Sequence, residues 1–299
     1  SSDLFKYICL TIIEMKRFIT AICISIFFAF NASAESISEK ISDLIDNFLP
    51  GEGVTDVSIQ VHEEDNPDIE ILTNRSLDKT DTSNTFVQMS LHTQETNNKN
   101  RLITNLGYGY RELTEDKSIM YGANGFIDIE SEGHLRASFG LEAKGKILDL
   151  NANFYEALSG VEIVDGVNEE ILSGHQLNLT TQIPYMPWSN LNIQNYSFES
   201  IKATNDIEGN KISLEMNLTP TFQFDISQDF SDTSGIDDEM DFKVTFKYPP
   251  SNDKPSLQDG FVSNVAFEKG NMEKKLTEKV RRDNNLTVEI QGAVILTKK

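Results

Sequence analysis

Cysteine is almost missing from this chain, and its two copies, Cys9 and Cys23, both lie before residue 34. The rest can hold no disulfide framework, no cysteine–zinc site and no thiol nucleophile. Histidine is scarce as well. His62, His92, His134 and His175 fall into neither an HExxH pattern nor paired-ligand spacing, so no metal is expected. The stretch His62-Glu63-Glu64-Asp65 reads as an acidic loop rather than a cation site. Basic residues are few: 26 Lys and Arg stand against 47 Asp and Glu, a formal charge of −21. Such a surface argues against nucleic acid as a partner. After residue 34 no apolar run reaches the ~20 residues of a transmembrane helix.

Catalytic patterns are lacking too. There is no G-x-S-x-G elbow, and "GYGYRE" supplies only Gly107 and Gly109 of a dinucleotide fingerprint. Those two glycines read more simply as relief of crowding inside a strand. "DTSGIDDEMD" lacks calcium-loop spacing, and no pair of carboxylates is singled out for acid/base work. Neither an enzyme nor a bound cofactor is expected.

What is present starts with an export signal. Met15, Lys16 and Arg17 form a basic head, Phe18 to Phe30 an apolar core, and Ala32-Ser33-Ala34 a small-x-small cleavage pattern. Residues 1–34 are thus expected to be upstream residues and a cleaved signal, with the mature chain starting at Glu35. Residues 35–53 follow as a short helical segment: Ile37, Ile41, Leu44, Ile45 and Phe48 recur at helical spacing until Pro50-Gly51.

From Val54 the period changes to two. "LRASFGLEA" sets Leu135, Ala137, Phe139, Leu141 and Ala143 on one face, and Arg136, Ser138, Gly140 and Glu142 on the other. "DLNANFYEAL" opposes Asp149, Asn151 and Asn153 to Leu150, Ala152 and Phe154. Alternating runs predict strands near 54–62, 69–76, 84–93, 101–112, 118–130, 134–144, 146–158, 174–184, 190–203, 211–219, 221–231 and 240–248. The count is even, and several runs have the roughly ten residues that cross a bilayer as a tilted strand. Connections alternate between tight turns and acidic loops, of which 159–173 is the longest.

Period two alone fits two architectures: a soluble sandwich with an apolar core, or a membrane barrel with an apolar outside and a wet lumen. Export, a cysteine-free mature chain and repeated Asn, Gln, Asp and Lys on the polar face favour the barrel. So do aromatics near strand ends, Tyr121, Tyr185, Trp188, Phe222, Phe246 and Tyr248, which are placed as interfacial girdles are. The expected fold is all-β, a transmembrane antiparallel barrel of about twelve strands over 54–248. Arg136, Glu142, Asp149, Asn151 and Asn153 face its lumen.

Several stretches resemble the β-barrel domain of the intimin/invasin family, the inverse autotransporters. They are "YGANGFIDIE" (121–130), "FGLEAKGKILDLNANFYEALSG" (139–160), "GHQLNLTTQIPYMPWSNLNIQNYSFE" (174–199), "FKYPPSNDKP" and "VRRDNNLTVEI". They run in family order over roughly two thirds of the chain. Ala143-Lys144 depart from the pattern, where an aromatic is usual. The resemblance implies a bacterial outer-membrane location and contact with lipid and with the barrel-assembly machinery. It also implies display of a C-terminal, adhesin-type passenger toward host or neighbouring cells. No adhesin repeat occurs before Lys299, so the passenger is expected to be tiny, missing or encoded further on.

The resemblance implies that twelve strands return the chain to the periplasmic side, so residues 249–299 are expected to thread the lumen as a linker to the surface; the alternative is a disordered or periplasmic tail. A helix is expected over Met272 to Arg282, ended by Asp283, Asn284 and Asn285, with Leu286 to Leu296 running extended. Lys274, Lys275, Lys279, Arg281 and Arg282 would face lumen carboxylates. The rival readings are a small porin-like channel plugged by its tail and a secreted soluble β-sandwich that binds glycans.

Overall fold

The computed structural model describes residues 51–62, 66–251, 254–268, 271–290 and 293–295. The expected signal, the helical pattern at 35–49 and residues 63–65 lie outside them.

The alternating runs form strands because successive side chains can then point to opposite environments. In chain order the strands are β1 (Gly53–Val61), β2 (Asp68–Lys79), β3 (Ser83–Thr96), β4 (Lys99–Leu113), β5 (Met120–Glu130), β6 (Leu135–Lys144) and β7 (Leu148–Ala157). Next come β8 (Glu162–Val164), β9 (Val167–Ile171), β10 (Gly174–Ile183), β11 (Met186–Phe198), β12 (Ile207–Asn217), β13 (Phe222–Ser231) and β14 (Glu239–Tyr248). All but β8 and β9 close into one barrel in the order β1-β14-β13-β12-β11-β10-β7-β6-β5-β4-β3-β2. Every pair in the ring is antiparallel, and the seam runs from Thr55↔Tyr248 to Val61↔Phe242. Closure leaves the ring no free edge. Each of the twelve expected runs lies on one ring strand. The run expected at 190–203 is displaced: β11 starts at Met186, because Pro184-Tyr185 alone makes the turn, with Tyr185 at φ 64°.

An even number of strands puts the start of β1 and the end of β14 at one end, the near mouth. The far mouth carries the β3–β4 turn, where Asn97 and Asn98 adopt φ of 53° and 60°, as a two-residue type I′ hairpin requires. It also carries the β7–β10 connection, from which β8 and β9 rise as a hairpin of their own.

Burial is inverted relative to a sheet in water. On β7, Leu150 and Phe154 are 49% and 51% exposed, while Asn151 and Asn153 are buried. On β6, Phe139 and Leu141 lie outside and Arg136 and Glu142 inside. Leu106, Tyr108, Ile127, Leu177 and Ile193 continue the outer apolar surface around the ring. Each such residue left in water forfeits ~25 cal/mol per Å² of apolar area. A barrel with this outside and a polar inside is stable in lipid, which rules out the soluble sandwich. The aromatic girdle is only partly as expected. Tyr121 and Tyr185 point outward, but Trp188 is buried beneath Phe261 (ring centroids 5.6 Å), and Phe222 packs edge-on to Phe246 at 5.1 Å.

The facing predicts an asymmetry. Phe154→Arg, on the lipid face, should cost about 2–4 kcal/mol and block assembly. Ser213→Arg, on the lumen side of β12, should not. Heat-modifiable electrophoretic mobility of the two variants checks this.

Candidate functional site in the barrel lumen

Beyond β14 the chain crosses the near mouth. The Tyr185 N–H donates to the Ala266 carbonyl (2.7 Å) and the Ser263 N–H to the Tyr185 carbonyl (2.8 Å). Asn271 then caps a single helical turn, α1 (Met272–Lys275), by accepting the Glu273 N–H at 2.9 Å. Lys274 lies in this turn. Met272 and Leu276 bury themselves against Leu113 and Met120, at the near ends of β4 and β5, and the tail enters the lumen.

The three-turn helix expected over Met272 to Arg282 does not form. One further turn follows α1, in which the N–H groups of Leu276, Thr277 and Glu278 bond the carbonyls of Glu273, Lys274 and Lys275, and from the Leu276 carbonyl onward lumen side chains take the peptide groups. Asn84 Nδ2 donates to the Leu276 carbonyl (2.7 Å), and Gln88 Oε1 accepts the Val280 N–H (2.7 Å). Gln94 holds both the N–H and the carbonyl of Leu286, each at 2.9 Å. All three pairs lie 192 residues apart in sequence. The tail therefore advances residue for residue with β3. Between the last two pairs, six residues of strand rise ~20 Å and six of helix only ~9 Å, so this register requires an extended tail beyond the turn.

The flanking strands β2 and β4, with β6 and β7 beyond, complete the set. Asn74 donates to the Glu278 carbonyl (2.7 Å), Asn153 to that of Arg281 (3.0 Å) and Asn105 to that of Asn284 (3.1 Å). Arg111 reaches the carbonyls of Leu276 (3.1 Å) and Glu278. Tyr155 Oη accepts the Asp283 N–H (2.7 Å), and Arg136 donates to the Asp283 carbonyl (2.9 Å).

Charge is matched along the path. Lys275 pairs with Asp149, and Lys279 with Asp56 at 2.8 Å. Arg281 grips Glu215 with two bonds of 2.6 and 2.9 Å. At mid-barrel Arg282 and Arg136 share Asp128, at 2.7 and 2.8 Å, and the Arg282 guanidinium stacks 4.3 Å from the Phe126 ring centroid. That stacking explains Gly107. A Cβ there would lie 2.2 Å from the Phe126 ring, so glycine makes room for the aromatic supporting Arg282. The polar knot has separate tasks. Asp283 Oδ1 accepts the Asn285 N–H (3.1 Å), turning the chain, and Asn284 Nδ2 reaches Glu70 (2.7 Å).

Arg136, Glu142, Asp149, Asn151 and Asn153 all lie on the lumen side. Glu142 receives Arg111 (2.6 Å) and the Asn151 amide (3.2 Å) rather than a tail cation. Lys144, where an aromatic was usual, reaches Glu278 of the tail at 3.2 Å. Asp56, Glu70, Asp128, Glu215, Tyr155 and the amides of β3 were not singled out from sequence. Alternation marks them as inward, but nothing local names their partners.

At the far mouth the tail departs again from expectation. Rather than running on as one extended segment, it forms β15 (Val288–Ile290), with which β16 (Ala293–Ile295) pairs antiparallel, while Leu296 lies outside the described residues. These join the loop hairpin in a second sheet ordered β16-β15-β9-β8, with Val288 opposite Ile171. Leu286, Val288 and Ile290 pack on Ile103 and Ile171, which gives the hairpin an apolar reason to form. Asp165-Gly166, at φ 53° and 81°, is the type I′ turn within the loop read as merely acidic, and this Asp-Gly pair was the legible signal.

Among the described residues, one group has donors spaced for a metal: His62, Glu239 and Asp241. Cations already occupy it. His62 bonds Asp241 (2.6 Å) and Asp68 (3.0 Å), and the Lys211 ammonium sits 2.5 Å from Asp241. Burial alone would lower the His62 pKa, but the two carboxylates outweigh it and push it up to about 9. It is a charged clamp beside the seam.

A family model described as "Inverse autotransporter, beta-domain" matches residues 28–284. A search of curated proteins finds no match. Among solved structures, one from work on the in-meso crystallization of membrane proteins gives a TM-score of 0.64 at 15% identity. It covers 80% of this chain and 100% of its own. An outer membrane channel from Pseudomonas putida F1 gives 0.49 at 12% identity, covering 67% and 97%. KdgM porin gives 0.44 at 7%, covering 65% and 98%. The first shows a shared fold; the other two lie below the similarity that supports an argument.

The Arg281–Glu215 pair predicts a measurable plug. Arg281→Glu places two carboxylates together and should cost about 3 kcal/mol, roughly a hundredfold in the open-to-closed ratio. Planar-bilayer conductance should rise accordingly, and adding Glu215→Arg should restore closure.

Proposed function

The chain belongs to the inverse autotransporter β-domain family, and on that premise we propose that its lumen exports a C-terminal passenger and that the tail is the segment left behind in the pore. The protein is an outer-membrane translocator barrel of a bacterium, with its apolar face in lipid. In the proposed orientation the near mouth opens to the periplasm and the far mouth to the outside. The barrel-assembly machinery inserts it. The passenger is adhesin-type and directed at a host or neighbouring cell. The chain itself acts as conduit and anchor and carries out no catalysis.

One observation supports this reading above others: the tail enters at the mouth where β14 ends and leaves at the opposite one, bonded to the wall throughout. A chain caught in transit needs that path. A porin's stopper needs only to fill the space, and a fold-back loop would do so without crossing.

The deciding test is a tag appended after Lys299. On intact cells it should be reached by antibody or protease. A tag accessible only after the outer membrane is breached would end the export reading and favour the plugged channel. Truncation after Tyr248 should still yield an inserted, heat-modifiable barrel, because the ring closes through β14 and β1 without the tail.

A further inference from the structure

We infer that the inner face of β3 is a track for extended polypeptide, recognising the backbone of whatever segment lies in the lumen and not its side chains. This rests on the export reading above and names the state in which the passenger travels.

The tail could have been held by its side chains alone, since its cations meet carboxylates along the path. Yet the bonds that Asn84, Gln88 and Gln94 make to the tail go to its peptide N–H and carbonyl groups, while Gln94 also donates to Thr96 Oγ1 on its own strand at 3.3 Å. Gln94 is the clearest case. Its amide offers one acceptor and one donor to the N–H and carbonyl of the same residue, Leu286, which is what a neighbouring β-strand does. Asn105 and Asn153, from other strands, also donate to carbonyls.

Such groups are blind to sequence, because every residue but proline carries the same donor and acceptor. Peptide groups on one edge of an extended chain recur every two residues, and the two positions that β3 holds beyond the turn, 280 and 286, are both even. Sliding the chain by two residues presents the same pattern to the same amides. A helix offers no such groups, since its own turns consume them. The lumen therefore favours an extended passenger over a helical one. In a site shielded from water it also supplies the bonds that would otherwise be lost on entry.

The test uses two tagged passengers of unrelated sequence, each appended after Lys299, and follows the rate at which the tag reaches the surface of intact cells. Gln88 contributes an acceptor, whereas Gln94 contributes a donor as well. One chemical change at the two sites should therefore act differently. Gln88→Glu keeps its acceptor and should slow arrival less than Gln94→Glu does. Gln94→Glu loses its donor and should slow arrival about tenfold. Gln88→Leu, which removes the acceptor, should also slow it about tenfold, with heat-modifiable mobility confirming the barrel. If that variant does not fold, the paired glutamates still decide. Equal slowing for both passengers supports the track. Normal arrival with Gln94→Glu, or slowing that depends on passenger sequence, overturns it and leaves export standing. If the unaltered barrel folds but never displays either tag, the export reading fails and the track falls with it.

Discussion

A polypeptide lying in a narrow lumen must find a partner for every peptide group it brings with it. Helix formation is the usual solution, because it satisfies those groups internally. Here the wall supplies the partners, and the rest of the structure follows from that choice. Asn74, Asn84, Gln88, Gln94, Asn105 and Asn153 meet peptide groups that the tail leaves open from the Leu276 carbonyl onward, and past Glu278 the tail runs extended. The extended form is what lets a short tail cross the barrel and still have residues left for β15 and β16 beyond it.

The electrostatics obey the same constraint. Burying carboxylates such as Glu215 and Asp128 is costly unless cations meet them. The tail delivers those cations in sequence order: Lys275 near the entrance, Lys279 and Arg281 further in, Arg282 at the Asp128 junction. A strongly acidic chain thus keeps a basic stretch for its own interior. The aromatic rings of Phe126 and Phe86 support guanidinium groups at 4.3 and 4.4 Å. They fit only because their neighbours Gly107 and Gly109 have no side chain.

Much of this was legible in the sequence, for a definite reason. Strand alternation is a local property imposed by two environments, so the ring strands and the inward placing of Arg136, Asn151 and Asn153 could be read directly. The tail could not. "MEKKLTEKVRR" has a helical pattern, yet its conformation is decided by amides some 190 residues earlier in the chain. Local propensity amounts to a few tenths of a kcal/mol per residue, and a series of buried hydrogen bonds at about 1 kcal/mol each overrides it. The partner of β15 was hidden for the same reason: Val288 meets Ile171 only once the barrel has brought the loop over the mouth.

Hydrogen exchange on the folded barrel in detergent or lipid tests the extended, wall-bonded tail most directly. The amides of Val280, Asp283 and Leu286, bonded to Gln88, Tyr155 and Gln94, should exchange slowly. Replacing Gln94 by Leu should release Leu286 while Val280 stays protected. An unbroken protected run from Leu276 to Arg282 that is indifferent to the wall substitutions would mean a helix and would contradict the account.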